Sequence, residues 1–352
     1  MRRRVVLGAL AGLGGMAVVL AIGAYVVVSQ LRTRLETAYR GYAGPEVYVE
    51  VQPGDSSLAI ARRLAAAGVV RDDWTFRLAA WRSGRDRELQ AGEYRFDTPL
   101  SPLALVDVVA DGRVYLRQIT FPEGLTLSEI ANVFETRGFG LASEFLGQSR
   151  RVELIADLDT SASDLEGYLF PETYSLPRDA TAGDLVESMV TEFRRNFDQA
   201  LRQEASRQGR TVREVVTLAS LIQKETGTDA EHGLVSSVYN NRLRIGMGLQ
   251  CDPTVIYALQ RDGLYDGNLT RDNLQYDSPY NTYRYPGLPP GPIATSGRAA
   301  LEAALHPEDV SYLYFVSRND GTHEFANTLA EHNRNVRQWQ VEYFRARRRA
   351  QQ

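Results

Sequence analysis

The residues best suited to move a proton are Lys224 and Glu225, near the end of the stretch TVREVVTLASLIQKET at residues 211–226. Leu218, Leu221 and Glu225 follow one another at helical spacing, so the glutamate closes an apolar row. A carboxyl group there loses water on one side, and a helix C-terminus opposes negative charge. Both effects raise its pKa toward the range of a general acid. Lys224 is the sole lysine among forty basic side chains, and a compact ammonium is not interchangeable with the guanidinium used everywhere else. A glutamate that merely ends a helix in solvent beside a chance lysine would look the same. Asp229, Glu231 and Asp252 are the nearby carboxylates that could form a second catalytic group. Cys251 is the only cysteine; with no activating base beside it in sequence, it reads as a small buried hydrophobe. His323 and His332 lack the spacing of a metal pair, so neither metal nor cofactor is expected.

Several elements must position these groups. Thr211 and Glu214 form a capping box for the helix, and Val215, Leu218, Ala219 and Ile222 give it a buried face. A second helix spans 233–243 and carries Asn240 and Asn241. The loop 246–252 re-enters helix at Pro253 with Asp252 as its cap. Residues 278–293, with Tyr280 and Asn281, hold too many prolines for helix or central strand and read as a binding loop. The aromatic stretch 164–177, with Tyr168, Phe170 and Tyr174, suits the wall of a sugar-binding groove or, equally, the core. One helix is expected over 182–207 and another over 296–306. Residues 312–316 read as a buried strand that pairs with 321–325 across Asn319-Asp320-Gly321. A last helix runs from about Thr328 through Trp339 to the basic tail at 345–349.

Upstream, Val47, Val49 and Val51 alternate as a strand; Pro53-Gly54 turns, and a helix containing Ile60-Ala61 stops at Gly68. About seventy residues later Ile119, Phe121, a Pro122-Glu123-Gly124 turn, Ile130-Ala131 and Gly138 repeat this order. At the N-terminus three arginines precede an uncharged apolar run over 5–28, long enough to span a bilayer. The arginines place the N-terminus in the cytoplasm. A signal peptide cleaved near Ala21-Ile22-Gly23-Ala24 is the alternative, but the apolar run is longer than a signal core. Everything after Leu31 then lies outside the cytoplasmic membrane, away from ATP. The chain's 352 residues allow two domains, and a net charge of −4 gives no reason to expect nucleic acid.

Residues 48–56 with Ile60-Ala61 resemble the opening of a LysM glycan-binding module. Residues 165–174, 219–226, 238–243, 249–257, 280–283, 287–293 and 331–333 together resemble the MltG (YceG-like) family of endolytic murein transglycosylases over nearly the whole chain. That resemblance implies an α+β fold divided into an anchor at 1–30, a linker at 31–45, a LysM-like domain at 46–117, a catalytic domain at 118–345 and a tail at 346–352. It implies cleavage of nascent peptidoglycan strands outside the cytoplasmic membrane, alongside peptidoglycan synthases, with Glu225 as the acid. Many relatives carry a further glutamate where this chain has Gln223, which argues against that position as the acid. Lys224, Asn240, Asn241, Gln250, Tyr280, Asn281 and Tyr168 are the candidates for sugar contact. A water-using muramidase and a non-catalytic wall-binding scaffold are the competing readings.

Overall fold

The structure, a computed structural model, describes residues 2–350, apart from the side chains of 2–14, 17, 346, 348 and 350. It is mixed α+β, with two-stranded sheets. Two compact units divide it, Met1–Arg117 and Gln118–Gln352.

Helix α1 (Arg2–Glu36) is continuous. Its segment Val18–Glu36 has a mean hydropathy of 1.4, is only 6% buried, and is long and apolar enough to cross a membrane. Val18, Val19, Leu20 and Ile22 all face outward, an apolar surface that water would disfavour. The side chains of the first half of the expected span fall outside the described residues.

In the first unit, β1 (Val47–Val51) is followed by α2 (Ser57–Ala66), α3 (Asp73–Ser83), β2 (Gly92–Phe96) and α4 (Pro102–Ala110). β1 pairs antiparallel with β2, Val47 opposite Phe96 and Val51 opposite Gly92. Ser56, Asp72 and Ser101 cap the three helices through their side chains, each worth about 1 kcal/mol. Val49, Val51, Ile60, Leu64, Phe76, Tyr94 and Val109 form the core.

The second unit opens with the same order. β3 (Arg117–Thr120), α5 (Leu127–Thr136), α6 (Ala142–Gln148), β4 (Thr173–Leu176) and α7 (Ala182–Asn196) follow in turn, and β3 pairs with β4. The repeat therefore extends beyond the strand and helix legible in sequence. Caps Ser56 and Thr126 are seventy positions apart, as are the positive-φ glycines Gly54 and Gly124. Further on the offset becomes eighty. Ser101 and Thr181 cap the closing helices. Tyr94 donates to the carbonyl of Gln90 at 2.8 Å and Tyr174 to that of Phe170 at 2.7 Å, each four residues back. A net insertion of ten residues between Thr126 and Phe170 hid this half of the repeat from a fixed-period reading.

Beyond the repeat come α8 (Gln199–Arg207), α9 (Val212–Glu225), α10 (Asp229–Arg244), α11 (Asp252–Arg261), α12 (Arg298–Leu305), the hairpin β5 (Tyr314–Ser317) and β6 (His323–Ala326), then α13 (Leu329–Val336) and α14 (Tyr343–Ala350). Four expectations need correction. The helix over 182–207 is two helices, because Asp198 caps the second by accepting from Ala200 and Leu201 N–H groups. α10 starts at Asp229, four residues early. The strand at 312–316 is shifted to 314–317 and buries only Val316, and the segment it pairs with, antiparallel, is shifted from 321–325 to 323–326. The basic stretch 345–349 is helical, joined to α13 by a π-helical segment, Arg337–Glu342.

Candidate active site

Helix α9 begins with the capping box expected: Thr211 accepts from Glu214 N–H, and Glu214 accepts from Thr211 N–H. Every residue from Val215 to Ile222 is buried, so the helix is packed on all sides, where the sequence pattern implied one face. The buried Ser220 hydroxyl is satisfied on both sides: it donates to Thr217 carbonyl at 2.7 Å and accepts from Ile293 N–H at 3.0 Å. The proline-rich loop is thereby tied to the helix.

Glu225 is the last residue of α9 and half-buried. Its Oε2 accepts from the Tyr239 hydroxyl at 3.0 Å, and the Cys251 thiol lies 3.5 Å from the same oxygen. Oε1 takes no hydrogen bond among the described residues. Loss of water raises the carboxyl pKa; the bonds from Tyr239 and Cys251 oppose that rise, the Asp252 charge adds to it and His323 counters it. Burial also drives the Tyr239 hydroxyl and the Cys251 thiol well above their usual ranges, so both keep their protons and act as donors. Cys251 is buried, as its composition suggested, and it is inert as a nucleophile while bearing a polar partner that sequence reasoning missed.

The loop before α11 delivers that thiol. Gln250 has φ of 48°, unusual for a residue with a side chain, and its N–H is fixed to Thr282 carbonyl at 3.2 Å. Cys251 N–H donates to Thr282 Oγ1 at 2.9 Å. Arg242, only 7% exposed, donates to the carbonyls of Leu249 at 2.6 Å and Leu313 at 2.7 Å. Asp252 is not the cap of α11. The helix includes it, Cys251 stands at the N-cap without a side-chain bond, and Asp252 instead accepts from Tyr283 at 2.5 Å.

The other candidates separate. Lys224 is exposed and donates to Gly124 carbonyl at 3.0 Å. Gln223 accepts from Gly297 N–H at 3.0 Å at the start of α12. Asn240 is spent on Arg210 and on Ser236. Asn241 donates to the carbonyls of Val310 and Tyr312. Asn281 is fully buried and organises its own loop through Leu274 and Tyr276 carbonyls. Tyr168 is core: its hydroxyl donates to Asp159 at 2.7 Å and its ring packs edge-on against Phe193. Phe170 and Tyr174 are buried too, so the aromatic stretch builds the interior and not a groove wall. Gln250 is exposed and Tyr280 half-buried, which leaves both able to meet a ligand.

A second carboxyl, Glu166, is raised to about 8 by burial. Both of its oxygens are engaged by Leu127 N–H, and Tyr257 donates to one of them at 3.2 Å, so it holds helix α5 in place. Glu231 is likewise occupied: His323 Nδ1 lies 2.7 Å from one oxygen and His323 N–H donates to the other at 2.9 Å. His332 stacks on Tyr314. A concavity of about 440 Å³ lies along the first turns of α9, lined by Arg210, Arg213, Thr217 and Pro289 among others, at the opposite end from Glu225.

Residues 49–338 match the model of the YceG-like family. The chain is 33% identical over 304 residues to the endolytic murein transglycosylase of Bacillus subtilis strain 168, covering 82% of this chain and 83% of that one. It is 30% identical over 320 residues to the endolytic murein transglycosylase of Streptococcus pneumoniae strain D39, of which it spans 58%. A crystal structure of a YceG-like protein from Listeria monocytogenes superposes with a TM-score of 0.57 at 31% identity, over 83% of this chain and 99% of that one. With its repeated β-α-α-β-α opening and the half-buried glutamate at the end of α9, the chain belongs to the YceG-like family.

Proposed function

We propose that this chain is an endolytic peptidoglycan lytic transglycosylase and that Glu225 is its acid and then its base. Glu225 protonates the oxygen leaving C1 of N-acetylmuramic acid, and its conjugate base takes the proton from that sugar's C6 hydroxyl. The C6 oxygen bonds to C1 as the bond to N-acetylglucosamine breaks, giving a 1,6-anhydro end without added water. An ordinary glycosidase needs a second carboxyl across the bond; here Glu231, Asp252 and Glu166 are each hydrogen-bonded to other groups, and Asp229, the first residue of α10, is exposed and lies 3.8 Å from the His232 ring. The observation that carries the reading is the Glu225 carboxyl, raised by burial and held by one oxygen only. The name shared by the bacillar and streptococcal relatives supports the same reaction.

The apolar segment in α1 supports single-pass anchoring, with the N-terminal arginines on the cytoplasmic side and the chain from Leu31 onward on the outer side. There the enzyme would meet strands as synthases extend them. The LysM-like opening of the first unit supports a glycan-holding role for that unit, and Lys224, Gln250 and Tyr280 remain the sugar-contact candidates nearest to the acid in sequence or loop.

Mass spectrometry of glycan strands incubated with the full chain in detergent tests the reading. Anhydro-muramic ends are expected. Reducing ends would favour a muramidase, and intact strands a scaffold. Glu225→Gln should lower turnover by about a hundred- to ten-thousand-fold; near-native turnover would reject the assignment.

A further inference from the structure

Two neutral donors from separate stretches of chain converge on one oxygen of Glu225, and among the described residues no donor reaches its other oxygen. Tyr239 comes from the middle of α10 and Cys251 from the strained loop before α11, and both are buried. An oxygen that already accepts from a hydroxyl and a thiol is a poor place to load or unload a third proton. From this asymmetry we propose that Tyr239, assisted by Cys251, is a positioning residue that reserves Oε2 and leaves Oε1 as the single oxygen through which Glu225 exchanges its proton. This rests on the catalytic reading of Glu225 given above.

The packing fits such a role. The Tyr239 ring is fully buried and sits edge-on to Phe315 at 6.2 Å, so its hydroxyl has little freedom to leave the carboxylate. Cys251 is pinned by Thr282 through its own N–H. The charged and titratable groups that act on Glu225 are Asp252 at the start of α11, Tyr283 in the proline-rich loop, Arg242 on α10 and His323 on β6. Among the described residues, only Tyr239 and Cys251 donate to the carboxylate itself. Donors to a carboxylate favour its ionised form, so they hold the pKa below where burial alone would set it. A general acid works while protonated, and its activity falls as pH rises through that pKa.

Tyr239→Phe removes the hydroxyl and keeps the ring. The Glu225 carboxyl, followed by carbon-13 NMR of glutamate-labelled full chain and assigned by its absence in Glu225→Gln, should titrate about one pH unit higher, a tenfold change in its protonation constant. The alkaline limb of strand cleavage should move upward by the same amount. Cys251→Ala should move both in the same direction by less. Tyr257→Phe, which removes the donor to the other buried carboxyl, should move neither. An unshifted Glu225 titration in Tyr239→Phe would overturn the proposal, as would a uniform loss of turnover with the limb unmoved. If Tyr239→Phe does not fold, an unshifted titration in Cys251→Ala overturns it. Absence of cleavage by the unaltered chain would remove the catalytic reading while the titration still reports on the hydrogen bonds.

Discussion

The turns at Gly54 and Gly124 occupy the same place in two copies of one fold, and they have opposite fates. In the first unit the turn is self-contained. Asp55 accepts from Gln52 N–H at 2.9 Å and pairs with Arg63 at 2.9 Å, and a side chain placed on Gly54 would meet nothing within 4 Å. In the second unit the turn is satisfied from outside. Gly124 N–H donates to Thr295 carbonyl at 3.0 Å and its carbonyl accepts from Lys224, while Leu125 N–H donates to Thr295 Oγ1 and Leu125 carbonyl accepts from Thr295 N–H. One copy keeps an open turn; the other has spent the same turn on fixing the last turn of α9. Fold alone therefore says little about what a module binds, and what covers its loops says more.

Four measurements test that contrast. The largest effect concerns Glu166, which engages the first turn of α5, whereas α2 opens on Ser56 alone. Its folded pKa of about 8 stands above the ordinary value of 4.5, so between those limits the native state binds the extra proton. Stability should be greatest at the acid side of the window and fall by up to about 1.4 kcal/mol per pH unit toward about 8. Glu166→Gln should flatten that slope in denaturant titrations run across the window. Next, Gly167 has φ of 80°, and an added Cβ would lie 2.5 Å from Pro292. Gly167→Ala should cost about 3 kcal/mol, against about 1 kcal/mol for Gly54→Ala, where only the positive φ matters. Equal costs would mean the second copy is no more tightly packed than the first.

Third, Tyr94→Phe and Tyr174→Phe should each lose about 1 kcal/mol. Tyr94 should lose slightly more, since it also donates to Val109 carbonyl at 3.1 Å; a neutral result at either would weaken the equivalence. Smallest is Lys224→Met, with a stability change within about 0.5 kcal/mol. Strand cleavage should nevertheless drop, because the turn is released from beside Glu225. Unchanged turnover would make the Gly124 contact incidental.

Much of α9 was legible because its signals are local. Thr211, Glu214 and the apolar row up to Glu225 are all within four residues of their partners, and the loss of water at Glu225 follows from that row. Tyr239 and Cys251 were not legible as its neighbours, since they lie 14 and 26 residues away and meet it only through helix packing. The asparagines misled for a related reason. A polar side chain in a loop or on a helix looks equally ready for sugar or for backbone; Asn241 and Asn281 are used to satisfy loop carbonyls, and Asn240 accepts from Arg210. Asp252 offered a cap in sequence, yet Tyr283 from a distant loop claimed it.

Ser220 bridges α9 and the loop at Ile293 through a single oxygen that both gives and receives. Neither side can come loose without stranding a polar atom in the dry interior. The amides of Ile293 and Ser220 should therefore exchange with deuterium at matched rates, as parts of one cooperative block. Any local opening that admits a polymer has to arise at the rim around this block.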